Sequence, residues 1–293
     1  LLVRGAVNFS LKIKIPAFIV SLTVVALGTS APELLVAIRA ILDNSPGIAL
    51  GNVVGSNIAN VFLVLGIPAL IAGINTREFN TRKNYVFMMI ATVIFLSLAF
   101  IGNFSLPQGI LFLILLALFL LITARDTLKM QNKTSNLEVE NADPTLVFWK
   151  IILFLSLGFI GLPIGADILV KNASFIAKSY GLSDEVIGLT LVALGTSLPE
   201  LATTLMAALR KQAEVALGNV IGSNIFNLFA IVGITTMFGD IPIAPSFFNF
   251  DFWIMFGAGI VLFPFVYMRV NINRLWGAFL TLTYAAYLYL TVQ

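Results

Sequence analysis

Histidine and cysteine are both missing from the 293 residues. Without histidine there are no imidazole metal ligands, no histidine proton relays and no Ser-His catalysis. Without cysteine there are no disulfides and no thiol chemistry. Charge is scarce as well: Asp, Glu, Lys and Arg make up 11% of the chain, against 59% hydrophobic residues. A mean hydropathy of +1.01 excludes an ordinary soluble domain and points to an integral membrane protein. Apolar runs of about twenty residues recur, the length a helix needs to cross a hydrocarbon core of roughly 30 Å. The alternating pattern of a membrane barrel is absent, so the spans read as helices. The sequence pI of about 9.2 comes from basic residues in short loops, where they set topology. It is not a nucleic-acid-binding signature.

Against this apolar background one polar sentence is written twice. The first copy runs Gly28-Thr29-Ser30-Ala31-Pro32-Glu33, then Gly51-Asn52-Val53-Val54-Gly55-Ser56-Asn57-Ile58-Ala59-Asn60. The second runs Gly195-Thr196-Ser197-Leu198-Pro199-Glu200, then Gly218-Asn219-Val220-Ile221-Gly222-Ser223-Asn224-Ile225-Phe226-Asn227, at a constant offset of 167. Duplicated packing would preserve apolar faces, not Thr, Ser, Asn and Glu. Ionisable groups at membrane depth cost roughly 2.5–3.5 kcal/mol on insertion scales and are functional candidates by default.

Spans are expected near 17–42, 47–73, 84–101, 107–124, 148–172, 186–209, 214–238, 249–268 and 274–291. Residues 168–182 align at the same offset with 1–15, so residues 1–10 read as the tail of a further span whose larger part is expected to be absent from this chain. The fold expected is an all-α integral membrane protein with ten helices, two five-helix halves and broken helices at the midplane. The halves are 1–124 and 148–293, and the polar stretch 125–147 is a linker. With alternating spans, fourteen basic residues fall on one side and Arg39, Lys171 and Lys178 on the other. The positive-inside rule places the linker in the cytoplasm and the chain in the inner or plasma membrane. An odd number of spans separates the two motifs, so they enter from opposite sides. Such an inverted repeat is the layout of many secondary transporters. Asp167 and Lys171 are spaced i, i+4 and read as an interfacial helix pair; Arg4 matches Lys171 and reads as a snorkelling anchor.

Each motif has its own chemistry. Pro32 and Pro199 lack an N–H and disfavour helix in the preceding residue, so a break is expected at each. Carbonyls freed near Ala26 to Thr29 then need partners, and a dehydrated cation is one. Glu33 lies one turn beyond Ser30 and can face the same cavity; Glu200 repeats this after Ser197. Ser-x-Pro-Glu is also a helix-capping box, and geometry allows both readings. Gly51, Gly55, Gly218 and Gly222 let backbones approach closely. Ser56 and Asn60 share a helix face, as do Ser223 and Asn227, and their oxygens suit hard cations. For Asn52, Asn57, Asn219 and Asn224, inter-helix hydrogen bonding and ion ligation are equally open. Together these groups make an oxygen-only site with no soft ligand for a transition metal. Two negative charges match one Ca²⁺ or two to three Na⁺. Competition for one site is the simplest way to couple two fluxes.

The paired blocks resemble the alpha repeats of the sodium/calcium exchanger family, within the cation/calcium exchanger superfamily, over nearly the whole chain. The resemblance implies a Ca²⁺/Na⁺ antiporter, not an enzyme, with Ca²⁺ and Na⁺ as transported ions, no cofactor, the lipid bilayer as surroundings, no nucleic-acid partner and a monomeric state. It implies ion ligands at Ala26, Thr29, Ser30, Glu33, Ser56 and Asn60, and at Ala193, Thr196, Ser197, Glu200 and Ser223, the alanines through their carbonyls. It further implies that the two most tilted helices, one of them 148–172, slide across a fixed core. Asn227 departs from the family: archaeal members often carry Asp there, so this chain has two central carboxylates rather than three. In this it resembles bacterial inner-membrane members. Ca²⁺/H⁺ exchange is the alternative among transporters. A cation channel and an intramembrane enzyme are alternatives of other classes, and the lack of His and Cys, with the oxygen-rich symmetric set, argues against the enzyme.

Overall fold

The computed structural model describes residues 2–13, 17–77, 81–131, 146–179, 181 and 183–292. Among these residues the chain forms ten helical rods. They are Leu2–Ile13, the bent rod 17–42, Pro46–Ala72, Arg82–Ile101, Leu106–Gln131, Phe148–Ser179, the bent rod 184–209, Ala213–Thr235, Asp251–Tyr267 and Arg274–Val292. Helix is what the apolar runs dictate, because hydrocarbon offers no partner for an unpaired backbone group. The expected spans near 107–124 and 148–172 continue to Gln131 and Ser179. Intrahelical hydrogen bonding does not stop where the apolar run stops, and Asp126 on the extension pairs with Lys83. Residues 132–145 and the side chains of Asp167 and Lys171 lie outside the described residues.

Burial sorts the rods into layers. The most apolar windows of Pro46–Ala72 and Ala213–Thr235 are 83% and 100% buried, whereas those of Arg82–Ile101, Leu106–Asp126 and Arg274–Val292 are 33%, 22% and 22% buried. The two Gly-Asn rods are therefore the centre, and the other three present apolar side chains to lipid. Leu2–Ile13 lies along Phe148–Ser179, and Arg4 sits 5.6 Å from the Phe154 ring centroid. That cation–π contact holds the side chain expected to snorkel.

The inverted repeat is visible in the connections. Ile74 pairs with Ile272 and Phe104 with Ile241, each as an isolated antiparallel bridge. At the offset of 167, residue 74 maps onto 241. The loop after the third rod of one half thus meets the loop before the last rod of the other half, once on each side of the membrane.

Both bent rods break at the expected place, by 43° after Thr29 and by 42° after Thr196. Each also carries a π-helical turn just before the motif, Ser21–Val25 and Gly188–Val192. These turns are offset by the same 167 residues, and π-turns frequently mark functional sites. Each lies against the central rod of the opposite half. A Cβ built on Gly222 would stand 2.2 Å from the Leu22 carbonyl oxygen and 2.7 Å from the Ala26 Cβ; on Gly55 the distances to the Leu189 carbonyl oxygen and Ala193 Cβ would be 2.5 and 2.7 Å. Only glycine allows this approach, and the approach brings the two motifs together.

A side chain at Gly222 should therefore separate the halves. Gly222→Val is expected to lower stability by about 1–3 kcal/mol or more, measured as a fall in Tm of the detergent-purified protein. At Gly161 a Cβ would meet nothing within 4 Å, so Gly161→Ala should leave Tm unchanged or slightly raised, since alanine is the better helix former.

Candidate ion site

All twelve residues singled out in the sequence are buried: Ala26, Thr29, Ser30, Glu33, Ser56, Asn60, Ala193, Thr196, Ser197, Glu200, Ser223 and Asn227. Glu33 and Glu200 have no exposure at all and lie close enough to repel one another. Among the described residues no third acidic side chain joins them, so every other oxygen in the ring is neutral.

The two asparagines that follow Gly51 and Gly218 tie the ring together. The Asn52 amide donates to the Glu33 carbonyl at 3.1 Å, and its Oδ1 accepts from the Thr196 hydroxyl at 2.9 Å. Asn219 does the same in mirror image: its amide donates to the Glu200 carbonyl at 3.4 Å, and its Oδ1 accepts from Thr29 at 3.3 Å. Each asparagine thus links the glutamate backbone of its own half to the threonine of the other half. Their oxygens are engaged, which accounts for them as ties. Asn57 back-bonds to the Val53 carbonyl at 2.7 Å, and Asn224 accepts from the Asn60 amide at 3.0 Å. Ser56 lies 3.5 Å from the Thr196 hydroxyl.

The capping-box geometry is absent. Ser30 and Ser197 occupy the cap positions, but neither side chain caps its helix. The Ser30 hydroxyl instead crosses to the other half and donates to Glu200 Oε1 at 3.0 Å, joined there by Ser223 at 3.4 Å. Thr196 and Ser197 face Glu33 without reaching hydrogen-bond geometry, which leaves both Glu33 oxygens without a donor. Free carbonyls are expected of Ala26 and Ala193, and the structure differs. Their carbonyls accept the Ser30 and Ser197 amides at 2.9 and 3.0 Å, and the Thr29 and Thr196 hydroxyls at 3.3 and 3.4 Å. The reason is positional. The proline withholds an N–H from the residue four back, which is Gly28 or Gly195, and the alanines lie two residues earlier.

Several buried oxygens of the ring have no partner: Glu33 Oε1 and Oε2, Glu200 Oε2, Ser197 Oγ, Asn60 Oδ1 and Asn227 Oδ1. Native interiors hold few such atoms, and each costs about 1–3 kcal/mol when left unmade. Three of the six belong to the two carboxylates, so the buried motif is short of donors or positive charge. The motif also missed two threonines. Thr204 accepts from Asn219 at 3.2 Å, and the Thr203 hydroxyl is buried without a partner. Val36 and Ala37 stand at the matching places in the first half, so a search for repeats passes over both.

Comparison with known proteins converges on one family. The family model described as sodium/calcium exchanger protein matches residues 1–125 and 150–293. This chain belongs to the sodium/calcium exchanger family. The sodium/calcium exchanger MaX1 of Methanosarcina acetivorans is 33% identical over 98% of the chain and 92% of its own length. The inner membrane protein YrbG of Escherichia coli is 31% identical over 84% of the chain and 77% of its own length. Among solved structures, the sodium-calcium exchanger NCX_Mj soaked with Na⁺ and Sr²⁺ superposes with a TM-score of 0.79 at 32% identity, covering 98% of this chain and 91% of that one. As a member of the exchanger family the chain is a multi-pass membrane antiporter of cations including Ca²⁺, and not an enzyme.

Ties and free oxygens should separate by stability in ion-free buffer. Asn52→Ala removes the bonds to the Glu33 carbonyl and from the Thr196 hydroxyl and is expected to cost about 1–3 kcal/mol for the two. Asn227→Ala removes a group with no hydrogen bond to lose, and thermal unfolding should show a shift less than half as large. Equal shifts would mean that Asn227 is held by packing as firmly as Asn52.

Proposed function

We propose that the protein exchanges Ca²⁺ for Na⁺ by alternating access, the two ions competing for the buried oxygen ring. The observation that carries this reading is the pair of fully buried glutamates with three donorless carboxylate oxygens between them. Ca²⁺ takes six to eight oxygens at roughly 2.3–2.6 Å. Glu33 and Glu200 supply the charge. Ser30, Ser56, Ser197 and Ser223 supply hydroxyls, and Asn60 and Asn227 supply amide oxygens. Thr29 and Thr196 turn their hydroxyls from the Ala26 and Ala193 carbonyls toward the ion, which releases those carbonyls as further ligands. No cofactor takes part.

The two functional halves are 1–124 and 148–293, with 125–147 as a cytoplasmic linker. The excess of basic residues on that side supports this orientation in the cell membrane. One copy of the chain carries a whole site, so it works as a monomer. Leu2–Ile13 packs chiefly on Phe148–Ser179, which also lies along both bent rods, and the sliding of this pair past the central rods exposes the ring to one side and then the other.

Glu33→Gln and Glu200→Gln should each reduce Ca²⁺ uptake into proteoliposomes to background. Wild-type uptake in either variant would return the glutamates to a capping role. Imposed gradients identify the counter-ion: an outward Na⁺ gradient should drive Ca²⁺ uptake, whereas uptake driven by a pH gradient alone would establish Ca²⁺/H⁺ exchange instead.

Charge sets the coupling. Two ionised glutamates and two neutral asparagines hold −2, which one Ca²⁺ or two Na⁺ neutralise; a third Na⁺ leaves +1. Moving that charge is worth about 2.3 kcal/mol per 100 mV. Exchange at three Na⁺ per Ca²⁺ is expected, so uptake should respond to a valinomycin-clamped potential. Indifference to the clamp would fix the ratio at two.

A further inference from the structure

A second concave site lies far from the ring in chemistry. It is a groove of about 320 Å³ lined by Arg82, Lys83, Val86, Phe87, Ile90 and Tyr267. Its two ends differ. Arg82 and Lys83 stand at the mouth, in the first turn of Arg82–Ile101. Below them, Val86 and Ile90 follow Arg82 at i+4 and i+8, and Phe87 follows Lys83 at i+4. One helix face therefore runs from cationic to apolar within three turns. Val86 and Ile90 are 39% and 48% exposed on a rod whose outer side faces lipid.

The cationic end is held in place. Arg82 Nη2 donates to the Tyr267 carbonyl at 2.8 Å, and its guanidinium lies 5.3 Å from the Tyr267 ring centroid. Lys83 pairs with Asp126. The two cationic side chains are thus fixed by these contacts. Both stand on the side of the membrane that carries the excess of basic residues, where anionic headgroups collect.

We propose that this groove binds one anionic phospholipid. The phosphate sits between Arg82 and Lys83, and one acyl chain lies along Val86, Phe87 and Ile90. Charge complementarity selects the headgroup. The apolar floor selects a lipid over a free anion, because a phosphate ion gains nothing from that floor. Asp126 is paired with Lys83 and competes with the phosphate for it. This proposal rests on the membrane fold alone, so it stands or falls independently of the counter-ion.

Native mass spectrometry of the full chain in detergent, titrated with phosphatidylglycerol, phosphatidylcholine and inorganic phosphate, tests it. Phosphatidylglycerol should bind at least tenfold more tightly than phosphatidylcholine, and millimolar phosphate should not displace it. The double variant R82Q/K83Q should bind phosphatidylglycerol about thirtyfold more weakly, at roughly fivefold per basic side chain near an anionic surface. Asp126→Asn frees Lys83 and should tighten binding about fivefold, a gain that no loss of folding can imitate. Equal binding of the two lipids, unchanged binding in R82Q/K83Q, or no gain in Asp126→Asn would each overturn the proposal. Displacement by free phosphate would overturn it in favour of a simple anion site.

Discussion

Two carboxylates held together out of water repel one another and have lost their hydration, and the rest of this protein is arranged around that constraint. Burying an ionised group is tolerated only where opposite charge or hydrogen-bond donors replace water. Here the replacement is partial and unequal. Glu200 receives Ser30 and Ser223, whereas Glu33 receives neither of the hydroxyls that face it. The shortfall has the sign that a bound cation would answer, which is what the proposed exchange requires. A site completed by its own side chains would have no use for cargo.

Backbone contact makes the incomplete ring possible. The π-turns at Ser21–Val25 and Gly188–Val192 lie directly on Gly222 and Gly55. A π-turn widens the helix by one residue and shifts the register of the residues beyond it. Its close seat on a glycine of the other half delivers Thr29 and Thr196 to the asparagines that wait for them. The peripheral rods then shield the assembly from lipid. Their aromatic packing, such as Phe95 between Phe104, Phe112 and Phe252, gives the centre a stiff surround.

Much of this was legible in the sequence, for physical reasons that particular residues illustrate. Polar side chains in hydrocarbon are costly, which set the threonines, serines, asparagines and glutamates of the repeated motif apart, and all of them are buried. Proline cannot continue an intrahelical ladder, so the breaks before Pro32 and Pro199 were readable. What could not be read depended on partners from the other half. Whether Ser30 caps its own helix or crosses to Glu200 is decided by distance across the interface, which no spacing encodes. The same holds for Asn52 and Asn219, equally open as ligands or ties until Thr196 and Thr29 are placed beside their oxygens. The π-turns left no mark in composition, because Ser-Leu-Thr-Val-Val and Gly-Leu-Thr-Leu-Val hold nothing that an ordinary helix excludes. Thr203 and Thr204 escaped because they break the repeat that drew attention to everything else.

The interleaving of the halves has a consequence for how such a chain could arise. Thr29 reaches across to Asn219 and Thr196 to Asn52, and the two loop bridges join one half to the other. A single half has no finished site. Two separate copies of one half could build this arrangement only if one inserted upright and the other upside down, which requires loops with too little charge bias to choose a side. Joining the halves in one chain removes that requirement and permits an asymmetric placement of lysine and arginine.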